Sequence, residues 1–437
     1  MPRWPVAALV ACALAGGSVH AADVGANVVE ALRARPRVRV IVALREPSAP
    51  VANLSLRNGE VQAVQGRVLD RLAASDFILT HRWESLNAFA GEVTLAGLRA
   101  LMADPDVLMV DEDPIAYMDL AETAALIHVD QVRGAGTTGK GVVVAVLDTG
   151  VDTHHPDIRD GLAAEQCFCI SASGAGCCPN GTAEQSGAGA AEDDNGHGTN
   201  VTGIITSDGR VAPPGIAPDS MVVALKVLDR TGAGTSAGIL SGLDFIINKH
   251  PEVKVVNLSL GLGNLFPGAC DSAASFTTAF ASAVNTLRGR GAAFFASTGN
   301  NGSSSQIAVP ACIGNAIAVG AVYKGDVGTI TFGCTDATTA ADRVACFSNS
   351  DSQVDVLAPG APVTSAGIGG GISTFVGTSQ ACPVAAGVAA LILSAHPGLG
   401  PDAVEAAMKA TGVTITDPKN GLSFRRIDAK AAVDSVR

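Results

Sequence analysis

Residues 142–152 read VVVAVLDTGVD, an apolar run that ends on an aspartate and a glycine-containing turn. A half-buried strand alternates apolar and polar residues. A run that is apolar at every position needs cover on both faces, which means helices on both sides of a parallel sheet. The same texture returns at 221–228 (MVVALKVL), 253–258 (VKVVNL), 292–297 (AAFFAS) and 316–320 (AIAVG), with helix-like stretches between. These runs predict a doubly wound, mostly parallel α/β domain over 121–437, helices on both faces. Its most apolar helix, 379–396 (with ACPVAAGVAALILSA), should pass through the core, and a further helix is expected at 401–410. In such sheets functional groups collect at the carboxyl ends of strands. Asp148 stands at one of them.

Upstream of this domain, residues 23–120 form a smaller unit. VRVIVAL (38–44) reads as a strand, and Val61, Val64, Val68, Leu69 and Leu72 share a helical face. Two short strands are expected within 77–92, a helix at 94–103 and a last strand at 107–110. That order, β-α-β-β-α-β, is the ferredoxin-like pattern. The acidic stretch Asp111-Glu112-Asp113-Pro114 and the residues after it, to about Leu126, read as a linker. Residues 1–22 carry Arg3, an apolar stretch at 6–16 and the small-x-small context Val19-His20-Ala21, the marks of an export signal. That stretch is too short to span a bilayer, and no later run reaches the length of a membrane span.

The formal charge of −12 and the absence of Lys/Arg clusters argue against nucleic acid as a partner. Export makes the cysteines interpretable, because oxidising compartments favour disulfides. Removing Cys12 with the signal leaves nine. Eight lie in loop-like sequence and are expected to form four bridges, Cys270–Cys312 and Cys334–Cys346 among them. The cluster Cys167, Cys169, Cys177, Cys178 also admits a zinc reading, although its spacing is not a metal signature. Cys382, in the apolar helix, is expected to be a small buried thiol.

Three residue types then assemble a chemistry. His197 lies in DDNGHGTNVTG (193–203), framed by glycines at the start of a helix-like run. Ser379 follows Gly377-Thr378 and begins the apolar helix, where the helix terminus favours a developing oxyanion. Pro383 is expected in that helix's first turn. Taken alone, Asp148 and Ser379 also read as helix caps and His197 as a structural histidine. Taken together they suit nucleophilic catalysis: a serine hydroxyl needs a base, an imidazole of pKa about 6.5 serves as one, and a buried aspartate orients it. Asn300, in STGNNG (297–302), and the Ser379 backbone N–H are candidate oxyanion donors.

The segments AVLDTGVD, NGHGTNVTG, NLSLG, STGNNG and VGTSQACP, in that order, closely resemble the subtilisin-like serine proteases. The resemblance implies Asp148, His197 and Ser379 as the triad, Asn300 as the oxyanion-hole asparagine and Asn301 as a bystander. It implies Ser259-Leu260-Gly261 as the strand beside the P1 pocket, and Gly232-Ala233-Gly234 as the segment that pairs with a substrate's backbone. It casts 23–120 as an inhibitory, folding-assisting propeptide that the enzyme cuts off itself within roughly 112–128. The implied partners are protein or peptide substrates and the chain's own propeptide, with a monomeric, secreted (extracellular or periplasmic) enzyme as the working species. No cofactor is required for the chemistry. Structural calcium is common in the family, without a ligand set to assign here.

Four positions depart from the family pattern. Gln380 replaces a methionine, Asn200 and Val384 stand where histidine is frequent, and Ser236 takes the place of an aromatic, which should leave the P4 side open. The absence of an acidic residue on the P1 strand points to broad specificity with apolar P1. Two rivals are separable. An acidic Ser-Glu-Asp relative of this fold lacks the HGT histidine and works near pH 4, whereas a catalytically dead binding protein would not react with a fluorophosphonate.

Overall fold

The computed structural model describes residues 22–46, 53–113, 115–118 and 125–436. The export signal read at 1–22 therefore lies, Ala22 apart, outside the described residues.

The large domain is built on a ten-stranded sheet. From edge to edge its strands are Val413–Thr416, Ser423–Arg426, Val356–Ala361, Ile317–Tyr323, Ala293–Ser297, Val253–Leu258, Val143–Asp148, Met221–Lys226, Leu162–Phe168 and Glu184–Ser186. The inner eight run parallel and the two outermost antiparallel. All five apolar runs are strands of this sheet. Residues of Val143–Asp148 alternate between two cores, Val144 and Val146 on one face and Ala145 and Leu147 on the other, so both faces are dry. From Val143–Asp148 the chain goes to strands on one side, then crosses to Val253–Leu258 on the other. The switch point thus lies at the carboxyl end of Val143–Asp148, where ligands bind in open α/β sheets.

Strands Leu162–Phe168 and Val356–Ala361 do not stand out in sequence. The first lies next to an edge and carries half-exposed Glu165 and buried Gln166 in its middle, and the second contains Pro359 and Gly360, which break the apolar run. Beyond the expected helix, here Pro401–Thr411, the chain adds the hairpin Val413–Arg426 and a helix, Ala429–Ser435. The core helix is Thr378–Ala395, buried from Thr378 to Leu393. Among the described residues it alone is long and apolar enough to cross a membrane, and it is packed inside the domain. Pro383 is its sixth residue, inside the helix and not in its first turn. Its missing N–H leaves the Ser379 carbonyl without the usual i+4 donor.

The small N-terminal unit has the predicted pattern. Val38–Leu44, Phe77–Arg82, Ala88–Val93 and Val107–Glu112 form one sheet with Leu54–Asp70 and Leu95–Ala103 as its helices. A short edge strand, Asp23–Val24, and a helix, Ala26–Ala34, precede them and were not expected. Strand periodicity splits the sheet's residues. Val38, Val40, Val42 and Leu44 face the unit's own helices, whereas Ile41, Ala88 and Ala90 join Leu240, Leu243 and Phe280 of the large domain.

The predicted linker is corrected by the structure. Asp111 accepts the backbone N–H of Ser275, and Asp113 accepts the Ser236 hydroxyl and the Ala237 N–H. The two carboxylates thus cap helices Ser275–Gly289 and Ser236–Lys249 of the other unit, where the helix dipoles favour negative charge. Ile115–Met118 is a strand, the middle one of a three-stranded sheet between Gly234–Thr235 and Leu260–Leu262, antiparallel to both. Ser236 is accordingly buried beneath Asp113 and lines no open P4 surface in this state.

Four disulfides form: Cys167–Cys178, Cys169–Cys177, Cys270–Cys312 and Cys334–Cys346. Pairing among the first four cysteines replaces the zinc reading, because bridged sulfurs are no longer thiolate ligands. Cys382 is a buried free thiol whose pKa burial drives well above its ordinary value.

Candidate active site

Asp148 closes its strand at the switch point, and His197 is the first residue of helix His197–Thr206. Their contact depends on glycine. A Cβ on Gly198 would sit 2.0 Å from the Gly150 carbonyl oxygen, so only glycine lets this helix start abut the strand end. The Gly198 N–H donates to Thr149 Oγ1 at 2.8 Å, which fixes the approach. Upstream, Asp193 accepts from the N–H groups of Asn195, Gly196 and Thr199 and from the Thr199 hydroxyl. Burial opposes its charge, yet these donors hold the Asp193 carboxyl below the usual range. The helix carrying His197 is thereby capped by the Asp193 carboxylate.

His197 Nδ1 lies 2.6 Å from Asp148 Oδ1, and that oxygen also accepts the Thr149 N–H at 2.7 Å. Both side chains are buried, as is Ser379 at the start of the core helix. With Nδ1 held as donor to a carboxylate, the imidazole keeps Nε2 as its basic nitrogen. The Ser379 hydroxyl has no hydrogen-bond partner among the described residues. Links of this kind commonly close only when substrate binds. The Phe375 ring stands 6.2 Å from the His197 ring and walls that side. Next to Asp148 in register is Lys226, fully buried, whose ammonium donates to the Thr149 carbonyl and to Asp194.

Asn300 Oδ1 accepts both the N–H and the hydroxyl of Thr378, at 2.8 and 3.0 Å. Only an amide turned this way satisfies two donors, so Nδ2 is the free end, buried and without a partner among the described residues. The loop bearing it is tied by Asn349, whose side chain bonds Asn301, Ser303 and the Thr298 carbonyl. Asn301 is thus committed to the loop. Thr378, Asn349, Asp193 and Lys226 were not singled out from sequence, although Thr378, Asp193 and Lys226 lie inside the segments VGTSQACP, DDNGHGTNVTG and MVVALKVL.

Of the segment 232–234, Gly234 pairs with Ala116 of the middle strand, while Gly232 and Ala233 form the preceding turn on Asp229. Leu260 and Gly261 pair with Met118 and Tyr117, and Ser259 instead accepts the Asn257 amide. His155 and His250 lie in other contacts, with Gly371 and Glu252.

Among the described residues, one group offers clustered metal-ligand atoms: Asp152, His154 and Glu192. It does not suit calcium, which takes six to eight oxygens. The set brings one imidazole, largely exposed, and two carboxylates already engaged by Gly370, His154 and Thr153.

The arrangement can therefore accept a proton from a hydroxyl, stabilise the resulting imidazolium and donate to a new oxyanion. The pattern of the subtilase family of peptidases matches residues 139–426. The chain is 32% identical over 324 residues to subtilisin E of Bacillus subtilis, covering 72% of this chain and 73% of that protein. It is 34% identical over 275 residues to a subtilisin of Bacillus pumilus (62% and 83%), and 29% identical over 371 residues to alkaline serine exoprotease A of Vibrio alginolyticus (80% and 60%). The chain belongs to the subtilase family of serine endopeptidases.

Proposed function

We propose that this subtilase is a secreted endopeptidase, made as a precursor that cuts itself, with Asp148, His197 and Ser379 as its triad. One observation carries the reading: Ile115–Met118 already lies as a substrate would, an extended peptide between Gly234–Thr235 and Leu260–Leu262. Strand addition of this kind binds through main-chain bonds. The chain then runs through 119–124, outside the described residues, to the short helix at Ala125–Ile127. We place the self-cleaved bond within 119–124.

In the reaction, His197 Nε2 takes the Ser379 proton as Oγ attacks the carbonyl carbon. Asp148 holds Nδ1–H and balances the imidazolium. Asn300 Nδ2 and the Ser379 N–H receive the oxyanion. The imidazolium then protonates the leaving amine, and a water repeats the cycle on the acyl-enzyme. The triad is fully covered in the full-length chain, which suits a latent precursor. The four disulfides suit an oxidising, extracytoplasmic compartment. Buried Leu260, Leu262, Ala308 and Val309 beside Gly261 favour apolar P1 side chains.

Purified Ser379→Ala should stay full length, fail to react with a fluorophosphonate and lose about 10⁶-fold in kcat, as loss of the nucleophile does in subtilisin. Wild type should acquire a mature N-terminus between residues 120 and 125, read by intact mass. Normal processing of Ser379→Ala in a protease-free host overturns the reading.

A further inference from the structure

Asn200 and Gln380, two unrelated departures in sequence, meet in the structure. Asn200 lies one turn beyond His197 on the same helix, and Gln380 directly follows Ser379. Both side chains are fully buried. Gln380 Nε2 donates to Asn200 Oδ1 at 3.1 Å, and Asn200 Nδ2 donates to the Ser373 carbonyl and hydroxyl at 3.1 and 3.0 Å. Ser373 belongs to strand Gly371–Phe375, which ends on the ring beside His197.

Around this chain of amides the two helices touch through small apolar side chains such as Val201, Ala381 and Val384. Apolar contact is non-directional and tolerates sliding. A hydrogen bond between buried amides weakens steeply with misalignment, and each amide left alone in this dry contact is penalised. The pair is therefore a directional link between the helix carrying the proposed base and the helix carrying the proposed nucleophile. A misplacement of about 1 Å between reacting groups costs on the order of 100-fold in rate.

We infer that Gln380 and Asn200 act as one positioning unit, which sets the register of Ser379 against His197 and holds strand Gly371–Phe375 beside them. The inference rests on the triad reading above. Neither residue touches a reacting atom, so the effect should fall on kcat.

The test compares mature wild type with Gln380→Met, Asn200→Ala and the double variant. Rates are normalised to titrated active sites, and trace wild-type enzyme completes any slow maturation. Methionine keeps the side-chain length, is usual at this position in the family and removes the whole amide, the donor to Asn200 included. Each single variant should lose about 10-fold or more in kcat with KM within about threefold, and its fluorophosphonate labelling rate should fall in step. The double variant should be no worse than the poorer single, because one unit is broken once. Wild-type kcat and labelling in Gln380→Met, whatever its thermal midpoint, overturn the inference, as do multiplying losses in the double. Ser379→Ala, run alongside, separates the failures: if it retains activity, the triad reading itself is wrong.

Discussion

Asn300 Oδ1 accepts the backbone N–H of Thr378 at 2.8 Å, which commits one end of the amide and leaves Nδ2 as the donor. The residue before the nucleophile thus orients the group proposed to receive the oxyanion.

Asn300→Ala should lower kcat by about 10²–10³-fold, roughly 3–4 kcal/mol, with KM little changed, because the donor acts on charge that appears only in the transition state. Thr378→Val retains the backbone link and loses only the hydroxyl, so its loss should be smaller. Steady-state kinetics on a peptide anilide decide; a rise in KM with kcat unchanged would place Asn300 in substrate binding instead.

Asp148→Asn should leave the fold intact and reduce kcat by about 10⁴-fold at neutral pH, since the amide can donate to Nδ1 and stabilise the wrong imidazole tautomer. Circular dichroism and kcat measured together check this. Activity within tenfold of wild type would remove Asp148 from the mechanism.

Release of the N-terminal unit should depend on pH. Asp244 accepts the N–H groups of Glu84 and Ser85 across the interface, and burial, with Glu84 nearby, pushes its carboxyl up to about 6. Asp111 and Asp113 are likewise raised by burial. A carboxyl whose pKa rises on docking favours docking when protonated. Affinity is therefore fullest below about pH 4, the range of a free carboxyl, and falls as pH rises through about 6. The fall due to Asp244 should be at most about 100-fold, two pH units of linkage. Titrating the released unit against the Ser379→Ala catalytic domain between pH 4 and 8 measures it. A flat profile, or one that tightens with pH, refutes it, and Asp244→Asn should flatten the curve.

The Cys270–Cys312 bridge closes a separation of 42 residues. In the chain-entropy account, removing it by the paired serine variant should cost up to about 4 kcal/mol of stability, seen as a lower denaturant midpoint. An unchanged midpoint would show that the bridge constrains nothing that the fold does not already hold.

How much was legible depends on how far each signal reaches along the chain. VVVAVLD declared a strand covered on both faces because burial acts on every residue of the run, and the period is local. Glycine at 198 was readable as unusual framing of His197. Its reason, the Gly150 carbonyl 2.0 Å from any Cβ, was not. Strand Val356–Ala361 escaped notice because Pro359 and Gly360 interrupt the pattern although every residue is buried. The stretch 111–118 read as a linker because carboxylates and a proline are loop-like locally. Its actual partners, Ser236 and Ser275, lie more than a hundred residues away in sequence.

The sequence alone therefore determined the fold class, five strands of the large sheet, the order of the candidate triad and the β-α-β-β-α-β pattern of the N-terminal unit, all written in local periodicity and short motifs. Tertiary structure decided what each polar group is for. Asp111 and Asp113 became helix caps, Thr378 the orienter of Asn300, and Asn200 with Gln380 a single link between two helices. The physical reason is that apolar burial repeats along a segment, whereas a buried hydrogen bond joins two isolated residues and leaves no period for the sequence to display.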